Sequence, residues 1–159
     1  MDTLHTVYLG LGSNLGDPEE NIFLAIERMG ELIGSVERQS SLYYFDAWGF
    51  ESEHQFVNAA VCCLTKLTPQ QVLRRAQQIE RELGKGVEHA TIRIGGYDDE
   101  NPAYRDRPID IDILLYDNLV VDEPNLQIPH PLMRDRDFVM QPLEEILPED
   151  YDWGDEADN

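Results

Sequence analysis

Positive charge is what this chain has least of. Across 159 residues, 12 Lys and Arg stand against 32 Asp and Glu, a formal net charge of −20. So thin a basic complement argues against wrapping duplex nucleic acid or lying on an anionic membrane, because both need clustered Lys and Arg. It does not exclude a small anionic substrate, for which a local patch or a bound metal suffices. Cysteine is nearly as scarce, at two residues, Cys62 and Cys63. They are adjacent in a strand-like run, where successive side chains point to opposite faces. A disulfide framework is therefore not expected, and two packed thiols of a cytosolic protein are. No CxxC and no His/Cys set with zinc spacing occurs. No apolar run approaches the ~18 residues of a membrane span, and Met-Asp-Thr-Leu-His has no basic n-region. The expected compartment is the cytoplasm.

What is present is a single-domain length with a globular apolar fraction of 42%, enough to build a core without a disulfide staple. The charges are unevenly placed. Seven of the 12 bases lie in 74–107, and residues 144–159 hold eight carboxylates and no base. One domain over 1–148 with an acidic, disordered tail over 149–159 is the expected organisation.

Hydrophobic spacing orders the elements. Thr6 to Leu11 alternates as a first strand and runs into a glycine-rich turn through Gly10, Gly12 and Gly16. Asp17 caps a helix that has Pro18 at its first position and Ile22, Ala25, Ile26, Met29 and Ile33 as its stripe. Residues 35–45 read as a second strand and 46–54 as a loop with Trp48 and Phe50. Residues 55–66 read as a third strand, with Val57, Ala59, Val61 and Cys63 on one face. Thr68-Pro69 opens a second helix that ends at Gly84. Residues 85–107 form a long polar stretch of the kind that is functional or disordered. Ile109 to Tyr116 is the fourth and most hydrophobic strand. A short extended segment between Pro124 and Pro129, a helical turn near 131–136 and a last helix over 139–147 follow. The order β-α-β-β-α-β predicts an α+β, ferredoxin-like fold, an antiparallel sheet with two helices on one face.

Three constellations carry chemistry. Asp110 and Asp112 lie two apart on the fourth strand, so both project from one face, ~6.6–6.8 Å apart along it, while Ile109, Ile111 and Ile113 turn to the core. Two carboxylates so placed suit one or two hard cations such as Mg²⁺, which keeps substrate phosphates in its shell. The competing reading is a solvated polar face, disfavoured by the rarity of Asp in strands. Arg107, three residues earlier, can meet phosphate oxygens bidentately or make a surface ion pair. Pro129-His130-Pro131 with Arg134, Arg136 and Phe138 reads as an anion site. Trp48, Phe50 and Phe56 with Asn58 can frame a flat heterocycle, rings on its faces and an amide at its edge. The glycine turn matches neither G-x-G-x-x-G nor the P-loop spacing and reads as a tight strand-to-helix turn.

Together these residues resemble the 6-hydroxymethyl-7,8-dihydropterin pyrophosphokinase family. The resemblance rests on Tyr8 to Asp17, on Phe56-Val57-Asn58-Ala59-Ala60-Val61, and on Gln78 to Gly84. Arg107-x-Ile-Asp110-Ile-Asp112 and Pro129-His130-Pro131 through Arg136-x-Phe138 complete it, in the family's order over roughly residues 4–147. It implies transfer of the β,γ-pyrophosphoryl group of ATP to the hydroxymethyl of the dihydropterin, with AMP leaving, in folate biosynthesis. It further implies that Asp110 and Asp112 hold two Mg²⁺ and that Phe56 and Phe138 sandwich the pterin. Asn58 and backbone groups near Phe45 and Trp48 would then read the pterin's edge. Arg107, His130 and Arg136 would contact the phosphates, and Gln77, Glu80 and Lys85 the nucleotide.

The sequence departs from the family's pattern in three places. The stretch before the metal motif is longer, and Val87 occupies a position that is often Arg, for which Arg93 or Arg105 can substitute. Phe45-Asp46-Ala47 replaces a Thr- and Pro-containing stretch. The C-terminus is short and acidic. These changes motivate a rival reading, a non-catalytic pterin- or nucleotide-binding module on the same scaffold. A different Mg²⁺-dependent phosphotransferase is another. No nucleic-acid or membrane partner is expected, and the expected assembly is a monomer or weak homodimer.

Overall fold

The computed structural model describes residues 3–45, 56–84 and 108–153. Strand β1 (His5–Ser13) leads to helix α1 (Pro18–Leu32), then β2 (Gly34–Gln39), β3 (Tyr43–Phe45), β4 (Phe56–Thr65) and helix α2 (Pro69–Gly84). After it come β5 (Asp110–Tyr116), the short strands β6 (Val121–Glu123) and β7 (Leu126–Ile128), a 3₁₀ turn (Met133–Asp135) and helix α3 (Asp137–Ile146). The sheet runs β2-β4-β1-β5, with β3 also on β4 and every pairing antiparallel. This is the expected α+β arrangement. Among the described residues no helix is long and apolar enough to cross a membrane.

The start of α1 follows its sequence signals. Asp17 accepts a hydrogen bond from the Glu20 amide and Pro18 opens the helix, which satisfies one exposed donor and presets the backbone angle. The expected second strand is two strands, because Ser40 breaks the run. Its hydroxyl accepts from the Ala60 amide while its own amide donates to Ala60 O.

The sheet carries a core on each face. Val7, Leu9, Leu11, Val57, Val61, Ile111 and Ile113 pack against α1 and α2. Tyr8, Ala60, Cys62 and Leu114 pack against Met133 and α3. The sequence reading covered one face only; α3 covers part of the other, because Leu143 and Ile146 form a stripe that the sheet buries. Each such apolar side chain contributes ~1.5–3 kcal/mol on burial. Cys62 and Cys63 do face opposite cores and are free thiols. Burial pushes the Cys63 thiol up to about 12.

The C-terminal segment is a second difference. Tyr151 and Trp153 pack against the α3 core instead of trailing as tail, since two aromatic rings recover apolar area there. Residues 154–159 lie outside the described ones.

Candidate active site

Sheet register builds the site. In an antiparallel pair, opposed residues share a face, ~4.5–5.5 Å apart between Cα atoms. Tyr43 pairs with Asn58, Asn58 with Gly12, and Gly12 with Asp110. A row therefore crosses four strands as Tyr43, Asn58, Gly12, Asp110. The next row reads Ala60, Gly10, Asp112. Both lie on the face that α3 shares, since Ala60 belongs to the α3 core. From Asn58 to Asp110 is thus two strand steps, roughly 9–11 Å.

Gly10 and Gly12 lie inside β1, not in the turn where the sequence reading put them. The turn proper contains Gly16, whose φ of +71° suits glycine. Gly10 and Gly12 let neighbouring side chains close down on the β1 backbone, Asn58 over Gly12 and Leu114 over Gly10. A Cβ on Gly12 would stand 2.9 Å from Asn58 Nδ2, and one on Gly10 would stand 3.3 Å from Leu114 Cδ1.

Asp110 and Asp112 are half-buried, while Ile111 between them is buried. The alternation read from sequence is the one observed. Among the described residues no group of three or more His, Cys, Asp or Glu gathers as a ligand set. The two half-buried carboxylates on one face of β5 fit a hard cation that takes its other oxygens from substrate and water.

Glu80 comes to the site from α2, but it meets the backbone: its carboxylate accepts from the Ile111 amide at 2.8 Å. β5 is the sheet's edge, so this carboxylate occupies a donor that no strand pairs. Gln77, one turn earlier on α2, is exposed. Asn21 was missed by the sequence reading. Its Nδ2 lies 3.1 Å from Pro108 O, 2.9 Å from Leu15 O and 3.2 Å from Ser13 Oγ. It ties α1 and the end of β1 to the start of the carboxylate strand. Asn after a helix start reads as solvated, so only tertiary structure reveals that tie.

His130 follows β7 and donates its amide to Leu114 O at 3.1 Å, docking beside β5. Its pKa is lowered, first by burial and then by the Arg136 guanidinium, with the Asp110 carboxylate opposing. The ring is therefore neutral near pH 7, and both charges lie close enough to act on it. His130 Nδ1 and Asn58 Oδ1 are buried without a hydrogen-bond partner among the described residues. Buried polar atoms are usually paired, so these two have capacity for a partner that the described residues do not supply. Asn58 Nδ2 is occupied by a long bond of 3.4 Å to Leu11 O. A pocket of about 330 Å³ opens at the β5 edge, lined by Leu73 of α2, Ile111, Asp112, Leu126 and His130.

Aromatic rings gather at the same end. Phe45 pairs with Phe56 across β3 and β4. Phe138, at the start of α3, meets Phe45 edge-on at 6.4 Å and 68°. The Arg136 guanidinium lies 5.8 Å from the Phe138 ring centre. The structure thus brings together Phe45, Phe56, Asn58, Asp110, Asp112, His130, Arg136 and Phe138, with Glu80 behind β5. Trp48, Lys85, Arg93, Arg105 and Arg107 lie outside the described residues.

This chain is similar to proteins of known name. The family model described as 7,8-dihydro-6-hydroxymethylpterin-pyrophosphokinase (HPPK) matches residues 8–148. A Porphyromonas gingivalis protein named 2-amino-4-hydroxy-6-hydroxymethyldihydropteridine pyrophosphokinase is 44% identical over 89% of this chain and 90% of its own. Proteins of the same name from Aquifex aeolicus and Bacillus subtilis are 40% and 38% identical, over 81% and 76% of their lengths and 90% and 87% of this chain. Among solved structures, a Plasmodium falciparum HPPK-DHPS chain superposes with a TM-score of 0.63 at 15% identity. The match covers 94% of this chain and 41% of that one. That likeness shows the fold.

Proposed function

We infer the chemistry of this site from one premise: the chain belongs to the HPPK family and is a pyrophosphokinase of folate biosynthesis. In the reaction, the hydroxymethyl oxygen of the dihydropterin forms a bond to the β-phosphorus of ATP. The bond from that phosphorus to the α,β-bridging oxygen breaks, AMP leaves with the electron pair, and the hydroxyl proton passes to solvent.

The observation that carries this reading is the row of Asn58, Gly12 and Asp110 across three strands. It sets an unsatisfied amide oxygen at one end and a carboxylate at the other. In our reading Asn58 Oδ1 accepts a hydrogen bond from the pterin's edge, and Phe56 and Phe138 cover its faces. The hydroxymethyl then points across β1 towards Asp110 and Asp112. Backbone groups near Phe45 and Trp48 complete the edge.

Asp110 and Asp112 would hold two Mg²⁺. When bound, these would offset phosphate charge and favour the attacking alkoxide. The chain's residues bind and orient. The nucleotide base takes the pocket at the β5 edge, near Gln77. Neutral His130 donates to phosphate through its ring N–H, and Arg136 and Arg107 grip phosphate oxygens. Lys85 joins them from beyond α2. Glu80 holds the β5 backbone that carries both carboxylates. The protein works in the cytoplasm as a monomer or weak homodimer, without nucleic acid.

The test is an assay of AMP and pterin diphosphate in mixtures holding ATP, the pterin alcohol and Mg²⁺ together or singly. Both products should require all three. Tight pterin binding without AMP would favour the binding-module alternative.

A further inference from the structure

Arg134 and Arg136 are two residues apart, and the sequence groups them into one anion site. The structure separates them. Arg136 lies by Phe138 and acts on His130. The Arg134 guanidinium instead lies over the indole of Trp153, 4.4 Å from its centroid. Trp153 is held edge-on by Tyr151 at 4.8 Å and 75°, and both rings pack on the α3 core.

The 3₁₀ turn Met133–Asp135, which includes Arg134, runs between His130 and Arg136. The Met133 amide donates to His130 O at 3.3 Å and the Arg136 amide to Met133 O at 3.1 Å. Such turns have poorer hydrogen-bond geometry than α-helix and hold little by themselves. Met133, fully buried, anchors this one from beneath. The Arg134–Trp153 stack holds it from the outer side.

We propose that Trp153 is a positioning residue for the nucleotide phosphates, acting through Arg134 on the turn that joins His130 to Arg136. Arg134 is the link to that brace and does not itself meet the phosphates. The inference rests on the pyrophosphokinase reading, in which His130 and Arg136 face the phosphates. A braced turn presents both groups already ordered, so binding need not order them. The C-terminal segment thereby becomes part of the nucleotide site without touching it.

The test measures binding of Mg²⁺ with α,β-methylene-ATP, and separately of the pterin, by calorimetry on full-length protein. Trp153→Ala, and Trp153→Leu, which keeps apolar bulk but lacks a π face, should weaken nucleotide binding about two- to fivefold, the range a cation–π contact supports. Trp153→Phe should restore most of it. Pterin affinity should not change. Arg134→Ala should match Trp153→Ala, and the double variant should be no worse than either. Additive losses would mean that Arg134 meets phosphate directly and would overturn the proposal. So would a Trp153→Leu protein that binds as tightly as wild type, or a parallel loss of pterin affinity. Wild type that neither binds the analogue nor makes AMP would instead sink the underlying reading.

Discussion

Gly12 and Asn58 face one another across β1 and β4 so closely that a Cβ on Gly12 would stand 2.9 Å from Asn58 Nδ2. The contact is with a side chain whose position sets where its unsatisfied Oδ1 points. Gly12→Ala should therefore turn Asn58 away and cost roughly one hydrogen bond to the pterin, about a three- to tenfold rise in KM for the pterin. Gly10→Ala meets the buried Leu114 instead of Asn58 and should change that KM by less than about twofold. In an Asn58→Ala background Gly12→Ala should add nothing further. Full additivity in steady-state kinetics would show that Gly12 acts by another route.

The paired carboxylates make a harsher prediction. Asp110→Asn or Asp112→Asn keeps size and hydrogen bonding but removes a charge from the cation site. Turnover should fall by on the order of 10²–10⁴-fold, the several kcal/mol a metal supplies to a charged transition state. Pterin binding should weaken yet remain measurable. Wild type in excess chelator should lose activity likewise. Appreciable turnover under chelation would remove the metal assignment.

How much of this was legible depended on whether the signal was local. Asp110 and Asp112 were readable because strand periodicity places side chains two apart on one face whatever the partner strand is. Asp17 and Pro18 were readable because capping acts within one turn. Gly10 and Gly12 were not, since glycine signals a turn locally and only register shows which neighbouring side chains it lets approach. Ser40 splitting the second strand, Asn21 reaching Pro108 and Glu80 reaching Ile111 are likewise long-range hydrogen bonds with no local pattern. The sequence predicts the last helix from residue 139. In the structure it starts at Asp137 and Pro142 is buried within it.

Glu80 was expected to contact the nucleotide, and its 2.8 Å bond to the Ile111 amide suggests a sharper experiment. Glu80→Ala leaves that amide unpaired at a partly buried edge, which costs ~1–3 kcal/mol. Both melting temperature and catalytic efficiency should drop. Glu80→Gln keeps an acceptor oxygen and should recover most of each. If the Gln variant is stable but as inactive as the Ala variant, the carboxylate's charge matters in its own right and a direct role towards nucleotide or cation is restored.

Glu145 yields a prediction in pH. Its carboxylate on α3 accepts from the Ser41 amide at 3.0 Å, the Ser41 hydroxyl at 3.1 Å and the Tyr43 hydroxyl at 2.8 Å, joining α3 to the β3 side of the site. These bonds favour the charged form, the Ser41 amide most of all, and hold its pKa below the usual carboxylate value. A group depressed in the folded state stabilises above its unfolded pKa and loses that contribution as pH falls through the folded one. Wild type should therefore melt higher than Glu145→Gln at pH 7, with the gap closing as pH drops below ~4, the unfolded glutamate's range. The group is exposed, so screening keeps the gap small. Thermal melts of both proteins from pH 7 to pH 3 measure it, and a gap that widens on acidification would contradict the assigned hydrogen bonds.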